Sequence, residues 1–182
     1  MKIYTKQGDN GNTRLWNGTK VSKSSNIIHT LGEMDELTVR IGQLYYILKE
    51  YFTEKHPDNI THIITFDEVV FIRQIQRYIQ TINTHIATPS VGIFKSLPEL
   101  DKEIVSDLES KIDSMTNQLP PLKEFILPCT NKIDSIIHLC RTQTRKAERY
   151  VSELEYVDKE VYKFLNRLSD YMFTLARVFV SP

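Results

Sequence analysis

Cysteine is scarce in this chain. Cys129 and Cys140 are the only two among 182 residues, too few for a disulfide framework. No CxxC or Cys/His spacing accompanies them, so they read as buried thiols of a reducing compartment. Histidine is also thin: His29, His56, His62, His85 and His138 form no HExxH or paired-ligand pattern, which argues against a dedicated protein metal site. No apolar run approaches the roughly 18 residues of a membrane span, and the N-terminus lacks the apolar core of a signal peptide. Net charge is absent too. Lys plus Arg and Asp plus Glu both number 23, which excludes a chain-wide attraction to nucleic acid or anionic membrane, so any positive site must be local. These absences predict a cytoplasmic protein, or a mature form already trimmed.

Glycine is the informative scarcity. Half of the six glycines (Gly8, Gly11 and Gly18) fall within the first 18 positions. The stretch Tyr4-Thr5-Lys6-Gln7-Gly8-Asp9-Asn10-Gly11-Asn12-Thr13 can turn its N–H groups into one concavity, a nest for anions. Thr5 and Thr13 add hydroxyls, and Lys6, Lys20 and Lys23 add cations. It is not a Walker loop, since no GxxxxGK[ST] occurs. A polar arm with a Gly/Asn/Asp turn fits the same residues. The local chemistry leaves both readings open.

Helical periodicity governs the rest, with strand alternation confined to Lys2–Thr5. Met34, Leu37, Ile41, Leu44, Tyr45, Leu48 and Phe52 mark a first helix opening at Gly32 and closed by Pro57-Asp58-Asn59. Thr65 with Glu68 is a capping-box signature for a second, which runs from Val69 to Ile86 and stops at Pro89. Leu100 to Leu119 marks a third, ended by Pro120-Pro121. A fourth starts near Thr130 as N-cap and reaches Leu154, and a fifth follows Asp158 to Phe179. Five helices of roughly 17 to 25 residues with short connections predict an all-α antiparallel bundle. The expected organisation is one domain, 1–182, with an arm over 1–30 and the bundle over 31–182.

Some polar residues exceed what helices need. Arg141, Arg145, Glu148 and Arg149 share one face of the fourth helix. This is either a solvated surface or, with three arginines to one glutamate, a site suited to phosphate. Asn166 and Asp170 sit one turn apart beside the apolar stripe of the fifth helix. Glu33, Asp35 and Glu36 either complement a first-turn helix dipole or serve a site. Phe125-Ile126-Leu127-Pro128 reads as a loop lining the core.

In their order these pieces resemble the PduO-type ATP:cob(I)alamin (corrinoid) adenosyltransferases. The resemblance covers nearly the whole chain. It rests on Tyr4-Thr5-Lys6-x-Gly8-Asp9-x-Gly11-x-Thr13, then Asp35-Glu36-Leu37 with Gly42, then Phe125-Ile126-Leu127-Pro128, then Arg141-Thr142-x-x-Arg145-x-Ala147-Glu148-Arg149 followed by Asn166-Arg167-Leu168-Ser169-Asp170. It implies a five-helix bundle assembled as a homotrimer with sites between subunits. The arm would be a glycine-rich nucleotide-binding segment, with Thr5, Lys6, Gln7, Gly8, Thr13, Arg14 and Lys23 at the phosphates of ATP. Arg145, Lys146, Glu148, Arg149 and Asn166 would complete the nucleotide site. Arg141 would pair with Asp35 across the subunit interface, and Phe125 would face the lower side of the corrin ring.

The implied reaction transfers the 5′-deoxyadenosyl group of ATP to the cobalt of cob(I)alamin, releasing triphosphate, with Mg²⁺ accompanying ATP. A corrinoid reductase and a B12-dependent enzyme are the implied partners. The chain departs from the family pattern where two glycines commonly follow Phe-Ile-Leu-Pro and Cys129-Thr130 stand here. Lys146 replaces a usual arginine, and Thr38 a common asparagine. The first departure motivates an alternative from a different class, a non-catalytic ATP/corrinoid carrier of the same fold. A helical scaffold with a surface arginine stripe is a third reading.

Overall fold

The computed structural model describes residues 4, 6–54, 63–89 and 97–180. Thr5, the Lys2–Thr5 strand expectation apart from Tyr4, and Pro57-Asp58-Asn59 lie outside the described residues. Five helices form the antiparallel bundle expected from the periodicity: α1 (Asn26–Thr53), α2 (Phe66–Ile86), α3 (Ile104–Thr116), α4 (Lys132–Ser152) and α5 (Lys159–Val178). A two-stranded antiparallel hairpin, β1 (Asn12–Arg14) and β2 (Lys20–Ser22), precedes them, with Thr13 opposite Val21.

Helix α1 packs on α2 and α4, and α5 on α3 and α4. The apolar stripes read from the sequence meet in one core, where Met34, Leu37, Ile41, Ile72, Ile75, Ile79, Phe164, Leu168 and Met172 are fully buried. No helix among the described residues is long and apolar enough to cross a membrane.

The helix lengths correct the expected range, at 28 residues for α1 and 13 for α3. Helix α1 starts at Asn26 after the N-cap Ser25, not at Gly32. Glu33, Asp35 and Glu36 therefore lie past the first turn, which holds no acidic residue, and are free of the dipole role. Leu100 and Leu119 pack on the core from outside α3. Apolar burial continued there after the helical hydrogen bonds had ended.

Thr65 caps α2 by accepting from Asp67 N–H. The box is not closed, because the Glu68 carboxylate is committed to Tyr171 Oη at 2.7 Å and Lys111 Nζ at 3.0 Å. Asn131, not Thr130, caps α4, and Asp158 caps α5 as expected.

Gly42 is required by a close approach. Gln76 Nε2 donates to the Thr38 carbonyl at 3.0 Å, and a Cβ on Gly42 would sit 2.6 Å from that nitrogen. A mid-helix glycine costs about 1 kcal/mol against alanine, and here it lets α2 clamp α1.

Candidate functional site

The arm folds as a series of tight turns. Asp9 N–H donates to the Lys6 carbonyl at 3.5 Å, Gly11 N–H to Gly8 at 3.4 Å, and Lys23 N–H to Gly11 at 2.9 Å. Gly11 and Gly18 have φ of 80° and 84°, and Lys6 adopts the same left-handed region at 58°. Glycine supplies that conformation without strain, and the Lys6 carbonyl accepts from Asp9 N–H in the turn it begins.

The result is a cleft of about 420 Å³ lined by Gln7, Gly8, Asn12, Thr13, Arg14 and Lys20. The Lys23 ammonium hangs over Gly8, while Arg14 Nη1 is turned to the Gly18 carbonyl at 2.9 Å. Trp16 N–H, donating to the Ala87 carbonyl at 3.2 Å, ties the arm to the end of α2. Among the described residues, no hydrogen bond or ion pair joins Lys6, Gly8, Thr13 or Lys23 to α4 or α5. A polar cleft walled by Arg14 and Lys20, with the Lys23 ammonium over Gly8, suits a polyanion.

Helices α4 and α5 carry the second group. Arg145 and Arg149 are exposed on α4, with Arg149 Nη1 donating to the Arg145 carbonyl at 2.9 Å. Glu148 and Asn166 meet across the α4–α5 contact, with Asn166 Nδ2 donating to Glu148 Oε1 at 3.4 Å. Positive charge therefore remains available on this face.

Lys146 is placed differently. Its ammonium is 2.8 Å from Glu33 Oε1 on α1, and Gln143 Nε2 donates to Glu33 Oε2 at 2.8 Å. Burial alone would raise the Glu33 pKa, but hydrogen bonds from Lys146 and Gln143 and the charge of Lys146 outweigh it and hold the carboxyl below its ordinary value. Lys146 is raised in turn by the Glu33 hydrogen bond.

Asp35 is exposed on α1, and Arg141 finds a partner inside the chain, its Nε donating to His138 Nδ1 at 3.1 Å. The structure does not bring Arg141 and Asp35 together within one chain.

The Phe125–Pro128 segment is not core lining. Phe125 is 104% and Leu127 77% exposed, so together with Leu122 they form an apolar lip. Its two ends are pinned to the end of α5: Arg177 Nη2 donates to the Pro120 carbonyl, and Asn131 Nδ2 to the Phe179 carbonyl at 2.9 Å. Cys129, inside the lip, holds φ at 67°, a conformation for which glycine is the natural residue.

Sequence reasoning missed Asp134 and His138, both buried on α4, and the Glu33–Gln143 contact. The signal was present as polar residues in the otherwise apolar stripe at one-turn spacing. Among the described residues no three His, Cys, Asp or Glu side chains converge as a metal site.

Comparison with known proteins converges on one family. The cobalamin adenosyltransferase family profile matches residues 3–179. The chain is 40% identical over 188 residues to the corrinoid adenosyltransferase MMAB of Homo sapiens, covering 97% of this chain and 68% of that protein. It is 37% identical over 182 residues to the corrinoid adenosyltransferase of Bacillus subtilis, covering 98% and 86%. A variant of the PduO-type ATP:corrinoid adenosyltransferase from Lactobacillus reuteri, complexed with cobalamin and ATP, superposes with a TM-score of 0.81 at 31% identity, covering 100% of this chain and 97% of that one.

Proposed function

The chain belongs to the cobalamin adenosyltransferase family, and from that premise we propose that it transfers the 5′-deoxyadenosyl group of ATP to the cobalt of a reduced corrinoid. The observation that carries this reading is the arm, where Lys23 overhangs Gly8 beside the left-handed turns at Lys6 and Gly11. That cradle takes the triphosphate, with Gln7, Thr13 and Arg14 on its walls. Thr5, by the family resemblance, joins it.

In the reaction, cobalt(I) supplies the electron pair to the ribose 5′ carbon. A cobalt–carbon bond forms, the carbon–oxygen bond to phosphate breaks, and its electrons depart with triphosphate. The nucleophile is the corrinoid's own, so no general base is needed. The protein orients the two substrates and stabilises charge on the leaving group. Lys6, Lys23 and Arg145 carry that charge, while Arg149, Glu148 and Asn166 hold the nucleoside side. Mg²⁺ would accompany ATP on its phosphates.

The arm and the α4–α5 face come from different protomers of a homotrimer in this reading. In keeping with it, no hydrogen bond or ion pair among the described residues joins Lys6, Gly8, Thr13 or Lys23 to α4 or α5. Arg141 then pairs with Asp35 of the neighbouring subunit, and the Phe125 lip covers the lower face of the corrin and excludes an axial ligand from it. A cytoplasmic reductase supplies cobalt(I), and a B12-dependent enzyme takes the product.

The test is ATP-dependent appearance of the alkyl-cobalt absorbance with reduced cobalamin, on wild type and Arg145→Ala. Loss of a charge-assisted contact of about 2 kcal/mol lowers kcat/KM on the order of 30-fold, with the fold retained because Arg145 is exposed. Absence of the signal from a folded wild-type protein would overturn the reading. The strained Cys129 favours one other reading, a carrier that binds adenosylcobalamin without turnover. Tight product binding with no adenosylation, restored to activity by Cys129→Gly, would identify it.

A further inference from the structure

We propose that His138 is a positioning residue for Arg141, and that the contacts Thr130–Asp134–His138–Arg141 tie the apolar lip to that guanidinium. The inference rests on the site reading above, in which Arg141 acts at the active-site interface. Asp134, His138 and Arg141 lie at one-turn spacings along α4, and Asp134 is 0% and His138 5% exposed.

Thr130 directs both its donors at one oxygen of that buried side chain. Its N–H lies 2.6 Å, and its hydroxyl 2.9 Å, from Asp134 Oδ2. The other oxygen, Oδ1, is buried without an aligned donor, and His138 Nε2 faces it at 3.1 Å. On the far side of the ring, Nδ1 receives Arg141 Nε at 3.1 Å.

This arrangement decides the tautomer. A guanidinium can only donate, so Nδ1 must present a lone pair, and the neutral ring carries its proton on Nε2, toward the otherwise unsatisfied Oδ1. Burial favours the neutral ring, as the lowered pKa of His138 indicates. Among the described residues only Nε of Arg141 is engaged, which leaves both terminal nitrogens of the half-buried guanidinium for a partner beyond the chain.

The series begins where the lip ends. Thr130 follows the left-handed Cys129, and Asn131 fixes the same corner to Phe179. A displacement of the lip therefore pulls on Asp134, turns the imidazole and re-aims Arg141. The residues that depart from the family's glycines at this corner thus gain a use, because a glycine at position 130 would lack the hydroxyl that holds Asp134.

Two isosteres dissect the ring. In His138→Asn the side-chain oxygen stands where Nδ1 was, keeping an acceptor for Arg141. In His138→Gln the amide reaches the Nε2 position and the Nδ1 acceptor is lost. The full-length protein, selectively labelled with ¹⁵N-histidine, is expected to show His138 as the neutral Nε2–H tautomer. Arg141→Ala is expected to keep that tautomer, which Asp134 also favours, and to shift the Nδ1 resonance as its donor is lost.

In steady-state adenosylation, His138→Gln lowers kcat on the order of tenfold, as loss of a positioning contact does, with KM for ATP and thermal midpoint retained. His138→Asn keeps most of kcat. An Nδ1–H tautomer, or a kcat per folded protein for His138→Gln equal to wild type, would overturn the proposal. A wild type that shows the Nε2–H tautomer but no adenosyl transfer would instead overturn the functional reading, and any positioning role with it.

Discussion

Lys23 Nζ would lie only 3.2 Å from a Cβ placed on Gly8, so the ammonium occupies space that any other residue at position 8 would contest. Gly8→Ala must displace the far end of a flexible lysine, which the fold absorbs. The expected outcome is an unchanged melting midpoint and an ATP dissociation constant raised about tenfold, equivalent to about 1.4 kcal/mol. Calorimetric titration with ATP checks this, and an unaltered affinity would remove Lys23 from the phosphate site.

Cys129→Gly is expected to stabilise the protein. The left-handed conformation at φ 67° costs a non-glycine residue about 1–2 kcal/mol. Glycine relieves this but gains about 0.5–1 kcal/mol of unfolded-state freedom. The net gain is on the order of 0.5–1 kcal/mol, read as a higher urea midpoint at constant slope. A lower midpoint would show that the thiol packs favourably enough to offset its backbone.

Phe125→Ala separates substrate chemistry from stability. At 104% exposure the ring packs against nothing among the described residues, so unfolding free energy should move by less than about 0.5 kcal/mol. Corrinoid turnover should fall while ATP affinity holds. A matching loss of ATP affinity would mean that the lip serves the nucleotide and not the corrin.

Acid should weaken the fold in two windows. The lowered pKa of His138, set first by burial and then by Arg141 against the opposing pull of Asp134, favours the neutral ring in the folded chain. Asp134 and Arg141, both on α4, are the charges acting on the ring. Its contribution is complete above the ordinary value of 6.5 and is lost as pH falls through the folded value. Glu33, also lowered, contributes fully above 4.5 and loses its share below that. Urea midpoints against pH should show the upper loss vanish in His138→Gln and the lower one in Glu33→Gln.

How far the sequence disclosed this depends on which physical signal was local. Apolar spacing exposed the five helices, and Asp158 was legible as a cap because capping is decided within one turn. The start of α1 was hidden because Ser22–Asn26 is polar throughout, so Ser25 has no contrast to mark it. Glu68 looked like a capping partner until tertiary packing offered it Tyr171. The arm's glycines suggested an anion site, but nothing local distinguished it from a turn. The Asp134–His138 pairing was invisible for the opposite reason, since a buried polar pair reads as a gap in an apolar stripe until its partners are placed.

The lip between Pro120 and Asn131 has both its feet on the final turn of α5. It is a bridge of fixed span, so residues inserted into it can raise its arch but cannot move its footings. Variation in the length of this segment would therefore tune how far the apolar crest projects, without disturbing the helices beneath. Trimming the chain before Phe179 would do the reverse, unseating one footing while leaving every residue of the crest in place.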